Sequence, residues 1–217
     1  ENPEYLTVSI LLLELYCKEK MDKNEPITLE SLIEIFSKPR ITPYLSVGDR
    51  PETVLDKYNR NIILSEAMHP TLHYLEICLR NGIDKAIRKH YREDWLINPP
   101  KQLIISEQDI KKIVEITGKI RKERKREPQH DDILAQMTFG FWCAFFHRKY
   151  DPILWHKKEA LKVLFPNLSR ANRKRAYIEE KILKIKKVRN RIAHQEPIWN
   201  HQVAIMEVYV MCHKLIR

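Results

Sequence analysis

Apolar residues recur along most of this chain at intervals of three and four, the spacing that lines one face of an α-helix. The sharpest case is Ile178, Ile182, Ile185, Val188 and Ile192. Leu72, Leu75, Leu79, Ile83 and Ile87 repeat the pattern in another segment. No stretch reads as a convincing strand, and no internal repeat or low-complexity tail is visible. The pattern predicts an all-α helical bundle.

Turn and cap signals divide the periodic segments. Residues 4–20 predict a first helix, and Thr28 caps a short second one, LESLIEIF. The segment SKPRITPYLSVGDRP, residues 37–51, holds three prolines and one glycine and reads as a linker. We therefore expect a small helical extension over 1–36 and a main domain over 37–217. Within that domain a helix is predicted from Glu52 to about Met68, and a new one from His69-Pro70, with proline in its first turn. Ser106 caps a helix that stops at Pro128. Asp131 or Asp132 caps one helix running through ILAQMTFGFWCAFFHRKY. A shorter helix follows at 156–164, a long basic one at 170–194, and a last one at 199–216. Glu196 precedes Pro197 and is pushed out of the α region, so the basic helix should end near His194.

Composition agrees with helices, since the 217 residues include only 4 Gly. The longest apolar runs, ILLL and FGFWCAFF, are too short to span a bilayer, and no signal peptide is visible. Cys17, Cys78, Cys143 and Cys212 are far apart and sit among apolar neighbours. We expect buried free thiols in a reducing cytoplasm rather than a disulfide framework or a zinc site.

Charge adds a direction. Residues 1–110 carry 14 Lys and Arg against 18 Asp and Glu, while residues 111–217 carry 25 against 11. A basic half of this kind suits a polyanion, most simply nucleic acid. The 170–194 segment concentrates the excess. Apart from Glu179 and Glu180 its polar positions are mostly Lys and Arg, a surface that phosphates would neutralise with release of counterions. A solvated face flanking acidic helices is the alternative.

The end of that segment, KKVRNRIAHQEPIW, holds the chemistry. Asn190 and His194 lie four apart, on one helical face. Arg189 and His194 lie five apart, about 140° around an ideal helix, unless the helix ends and frees the ring. Histidine exchanges protons near neutral pH, and a guanidinium matches phosphate oxygens. These groups would suffice to cut RNA without metal. RNA supplies its own 2′-hydroxyl nucleophile, histidine moves the protons, and arginine stabilises charge growing on phosphorus-bound oxygens. An R-x4-H spacing alone occurs by chance in basic helices. Arg124 and His130 make a near match that Pro128 interrupts.

RNRIAHQEP resembles the R-N-x-x-A-H signature of Abi-like abortive-infection proteins, which belong to the HEPN superfamily of helical ribonucleases. PRITPYL (39–45) looks like that family's opening segment. YNRNIILSEAMHPTLHYLEICLRNGID (58–84) resembles its early helices, ending in L-E-x-x-L-R-N. MTFGFWCAFF (137–146) is similar to its L-x-F-G-F-W block, and Leu154-Trp155 follows. The resemblance covers about residues 37–200. It implies a HEPN-type bundle and a metal-independent endoribonuclease acting on phage or host RNA in defence or as a toxin. The family often has a second histidine where this chain has Gln195. With one motif per chain, a homodimer would bring two His194 side chains to one cleft, and Arg189 of one subunit could serve the histidine of the other. His194 would be the general acid or base, Arg189 the transition-state cation, and Asn190 a group orienting the ring or binding phosphate. Lys186, Lys187 and Arg191 would hold the RNA backbone, joined by Arg80 and Asn81 from the L-R-N block. An antitoxin or a bound small RNA could restrain the activity.

Other features read more plainly. Phe139, Phe141, Trp142, Phe145 and Phe146 are expected to be core, with Gly140 permitting close helix approach. Glu76 and Arg80 suit an i, i+4 salt bridge. His69 and His73 lack companions for a metal set. KIRKERKRE (119–127) reads as a solvated helix end that could track RNA. Two rival functions use the same basic surface: a non-catalytic module holding a small non-coding RNA, and an adaptor that docks an acidic protein.

Overall fold

The computed structural model describes residues 27–103, 105–156 and 158–216. The helix expected over 4–20 and Cys17 lie outside them. The fold is all-α, 73% helical, with no strand among the described residues. In chain order the α-helices are α1 (Leu29–Phe36), α2 (Lys38–Ile41), α3 (Pro51–His90), α4 (Glu107–Arg124), α5 (His130–Gln136), α6 (Phe139–Ala144), α7 (Lys158–Leu164), α8 (Arg175–Ala193) and α9 (Gln202–Ile216). Short 3₁₀ turns occupy Thr42–Tyr44, Arg148–Tyr150 and Trp199–His201, and a π turn occupies Asp151–Trp155. None of the described helices is long and apolar enough to cross a membrane.

Two compact units emerge. One takes the described residues up to Pro70 together with Asn190–Ile205; the other takes Thr71–Arg189 and the chain from Met206 onward. The divisions fall inside α3, at Pro70, and inside α8, between Arg189 and Asn190.

The first unit is built around Leu32, Ile41, Tyr44 and Val54, with Phe36, Tyr58 and Trp199 packed against them. Thr28 caps α1 as expected, its hydroxyl accepting from Ser31 N at 3.1 Å while Ser31 Oγ accepts from Thr28 N. The boundary expected after residue 36 runs through this apolar cluster, which joins Leu32 of α1 to Ile41, Tyr44 and Val54. The 37–51 segment is partly helical, and Gly48, at φ +82°, supplies its left-handed turn. Tyr44 meets Tyr58 edge-on at 5.1 Å, and burial pushes the Tyr44 phenol up to about 12. Asn61 ties the unit together, because its Oδ1 accepts from Ile198 N at 2.5 Å and Trp199 N at 3.2 Å.

The second unit buries the predicted stripe of Leu72, Leu75, Leu79, Ile83 and Ile87. The FGFWCAFF aromatics are core, with Trp142 and Phe146 fully buried. Trp95 joins them, stacked on Phe141 and edge-on to Phe145. The glycine that permits close approach is Gly82, where an added Cβ would stand 1.9 Å from Leu164 Cδ1. At Gly140 the nearest atom, Lys186 Nζ, lies at an ordinary 3.5 Å.

Several boundaries differ from expectation. Pro70 does not start a new helix; α3 runs through it. Proline forfeits one backbone bond there, but its fixed φ is helical, and buried Met68, Leu72 and Leu75 hold the chain on both sides. The single helix expected from 131 to 150 is two, because Thr138 caps α6 by accepting from Phe141 N. Asp132 is the third residue of α5, accepting from Gln129 N at 2.8 Å, rather than its cap. The basic helix starts at Arg175 instead of 170, since Ser169 O accepts from Asn172 N and Arg173 N in a tight turn. Cys78 is exposed, contrary to expectation, whereas Cys143 and Cys212 are buried, and burial pushes both thiols up to about 12.

Candidate functional site

Helix α8 carries the sequence-predicted residues, and its isoleucine stripe fixes which way they face. Ile178, Ile182 and Ile185 are buried, with Val188 and Ile192 half-buried. Arg175 anchors the N-terminal end: its Nε donates to both Asp151 oxygens at 2.9 Å and its Nη1 to Phe146 O at 2.9 Å and to Glu179.

The other end closes in a Schellman turn. Gln195 N donates to Ile192 O at 3.0 Å, and Glu196 N donates to Arg191 O at 2.7 Å. Gln195 takes the left-handed position, φ 56°, that glycine usually fills. His194 is thus the cap residue, its N still donating to Asn190 O at 2.9 Å and its side chain exposed. Helices leave their last carbonyls without internal partners. Arg40 satisfies one of them, with Nη1 donating to His194 O at 3.1 Å, and also donates to Gln195 O, just past the cap, at 2.7 Å. A cation in this place also answers the helix dipole. The His194 backbone is therefore held from both sides while the imidazole faces solvent.

The remaining predicted residues sort by partner. Arg189 Nη2 lies 3.4 Å from Glu76 Oε2, and its guanidinium stands 5.9 Å over the Phe139 ring. Glu76 thus pairs with Arg189, not with Arg80 as its spacing suggested. Arg80 Nε instead donates to Asn81 Oδ1 at 3.2 Å. Arg191 pairs with Glu196 at 3.6 Å. Lys186 is half-buried beside Gly140, and Lys187 is exposed. Lys181 and Lys184 both reach Glu180, so part of the basic face is already neutralised within the helix. The 119–127 run is likewise laced with ion pairs: Arg121 holds Glu127, while Arg124 and Arg126 hold Asp132.

In the first unit a cleft of about 430 Å³ opens beside the Schellman turn, lined by Tyr58, Asn61, Ile62, Ser65, Ile192 and Gln195, with exposed Glu66 and His69 also on its wall. Sequence reasoning missed this cleft, and it missed Arg40. The signal at Arg40 was its place in PRITPYL, a block noted only for its resemblance.

A different constellation lies in the second unit. Buried Asp84 accepts from Trp95 Nε1 at 2.8 Å and from His130 Nε2 at 2.7 Å, and its other oxygen pairs with Arg88 at 2.9 Å. Burial opposes the charge on Asp84, but hydrogen bonds from His130 and Trp95 overcome it and hold the carboxyl below its ordinary range. Among the described residues no group of three or more His, Cys, Asp or Glu side chains is placed to hold a metal ion. No protein-family model, no curated protein and no solved structure matches this chain.

Proposed function

We propose that this protein is a HEPN-type, metal-independent endoribonuclease of the Abi-like kind, active as a homodimer in anti-phage defence. The observation that carries the reading is the end of α8, where an exposed imidazole sits on a clamped backbone at the tip of a basic helix. The resemblance of RNRIAHQEP to the family signature supports it.

In this reading His194 of one protomer takes the proton from a ribose 2′-hydroxyl, and the oxygen attacks the adjacent phosphorus. The P–O5′ bond breaks, and His194 of the other protomer protonates the departing oxygen. The products are a 2′,3′-cyclic phosphate and a 5′-hydroxyl. Arg189 stabilises the charge that builds on the phosphoryl oxygens. Its long contact with half-exposed Glu76 is one that a phosphate can replace with shorter, charge-assisted bonds. Asn190 orients the histidine or binds phosphate, and Lys186, Lys187, Arg191, Arg80 and Asn81 contact the RNA backbone.

The Glu76 contact also favours a second reading, in which Arg189 stays structural and the surface holds a small RNA without cutting it. Labelled RNA on a denaturing gel separates the two. Cleavage that persists in EDTA, spares single-stranded DNA and falls by about 10²–10⁴ in His194→Ala supports the nuclease. Binding of RNA with no cleavage at low salt supports the holding module instead.

A further inference from the structure

The cleft beside the Schellman turn has room for a small molecule. Its volume, about 430 Å³, lies within the ~300–1,000 Å³ that such sites occupy. Tyr58, Ile62 and Ile192 give it apolar walls suited to a flat ring. The Tyr58 ring is set in place by Phe36 at 4.9 Å and Tyr44 at 5.1 Å.

Its polar groups are already oriented. Asn61 is 5% exposed, and its oxygen is committed to the N–H groups of Ile198 and Trp199. What Asn61 can still offer is its NH₂, a donor. One helical turn on, Ser65 Oγ spends its proton on Asn61 O at 2.8 Å, which leaves lone pairs to accept. Glu66, also on the wall, is purely an acceptor as a carboxylate. The two groups that the fold orients are thus a donor, Asn61 Nδ2, beside an acceptor, Ser65 Oγ, while Tyr58, His69 and Gln195 on the wall can each donate or accept. Guanine shows the complementary edge, a carbonyl oxygen next to two nitrogen donors. Adenine presents an amino donor where that carbonyl would be. Gln195 lines the cleft and directly follows His194, so the cleft opens one residue along the backbone from the candidate acid or base.

We propose that this cleft receives a guanine base of the RNA substrate and so sets which nucleotide His194 acts on, an assignment that rests on the ribonuclease reading.

Titration of the full chain with the four ribonucleoside 3′-monophosphates and with inorganic phosphate tests the site without any cleavage. The guanosine compound should bind at least about tenfold tighter than the adenosine compound. Asn61→Asp keeps the oxygen that holds Ile198 and Trp199 but removes the donor. It should erase that preference while the protein still melts cooperatively. Ser65→Ala should weaken guanosine binding several-fold and serves if the first variant fails to fold. Equal binding of all four nucleotides, binding of phosphate alone, or no saturable binding overturns the proposal. Mapping of cleaved RNA ends separates the two readings. Cleavage that ignores base identity, in wild type and Asn61→Asp alike, sinks the guanine site and leaves the nuclease. Selective guanosine binding with no RNA cut sinks the nuclease and leaves a guanine site.

Discussion

His130 and His194 both sit at helix ends, and the chain treats them in opposite ways. His130 opens α5 with its ring buried, edge-on to Trp95 and donating to Asp84. His194 closes α8 with its ring in solvent and its backbone, rather than its side chain, held in place. The first histidine is spent on the fold. Its partner carboxylate also serves Trp95 and Arg88, so the group works as one buried polar network. The second contributes little packing and is free to meet a ligand. Residue type alone does not separate these roles; what the protein does with the ring does.

Substitutions should widen or close that contrast. Asp84→Ala leaves His130, Trp95 and Arg88 without their common acceptor and should cost about 3–5 kcal/mol in denaturant unfolding. A loss below about 1 kcal/mol would mean that the network relaxes and the contrast is weak. His130→Ala should cost about 1–3 kcal/mol, because it strips one bond from Asp84 and leaves space against Trp95. Arg40→Ala uncovers the two carbonyls at the end of α8 and should cost about 1–2 kcal/mol. Under the ribonuclease proposal, a clamp that also serves the chemistry would make RNA cleavage fall by more than the stability loss explains. His194→Ala should change stability by no more than about 0.5 kcal/mol. A larger loss would place that ring in the fold too.

Acid offers a separate test. The Asp84 carboxyl is held below its unfolded value, so its contribution is fully present above the ordinary carboxylate range near pH 4. It is lost as pH falls from there through the folded-state value. Thermal melts of wild type and Asp84→Asn should therefore converge as the pH drops below about 4. Parallel curves down to the lowest pH would show that the carboxylate charge is not what the network needs.

The parts of the molecule that obey local rules were legible in the sequence. The isoleucines of α8 and the leucines of α3 announced their buried faces by spacing, and Thr28 and Ser106 announced their caps. Glu196-Pro197 foretold where α8 stops, because that rule acts on adjacent residues. What escaped depends on partners distant in the chain. Arg40 lies 154 residues from the carbonyl it satisfies, and no periodicity encodes such a pairing. Glu76 had a suitable cation four residues away yet pairs with one 113 residues on. Pro70 misled for another reason: a strong local breaker was overridden by packing on either side. Of the expected site, the sequence placed His194 at the helix end, but neither the Schellman turn nor the cleft beside it.

The grip of Arg40 on the end of α8 has a consequence for how the protein matures. Translation delivers the guanidinium 154 residues before the first carbonyl it binds, so this bond can close only once both distant segments have emerged. Until it does, the last carbonyls of α8 have only water to satisfy them.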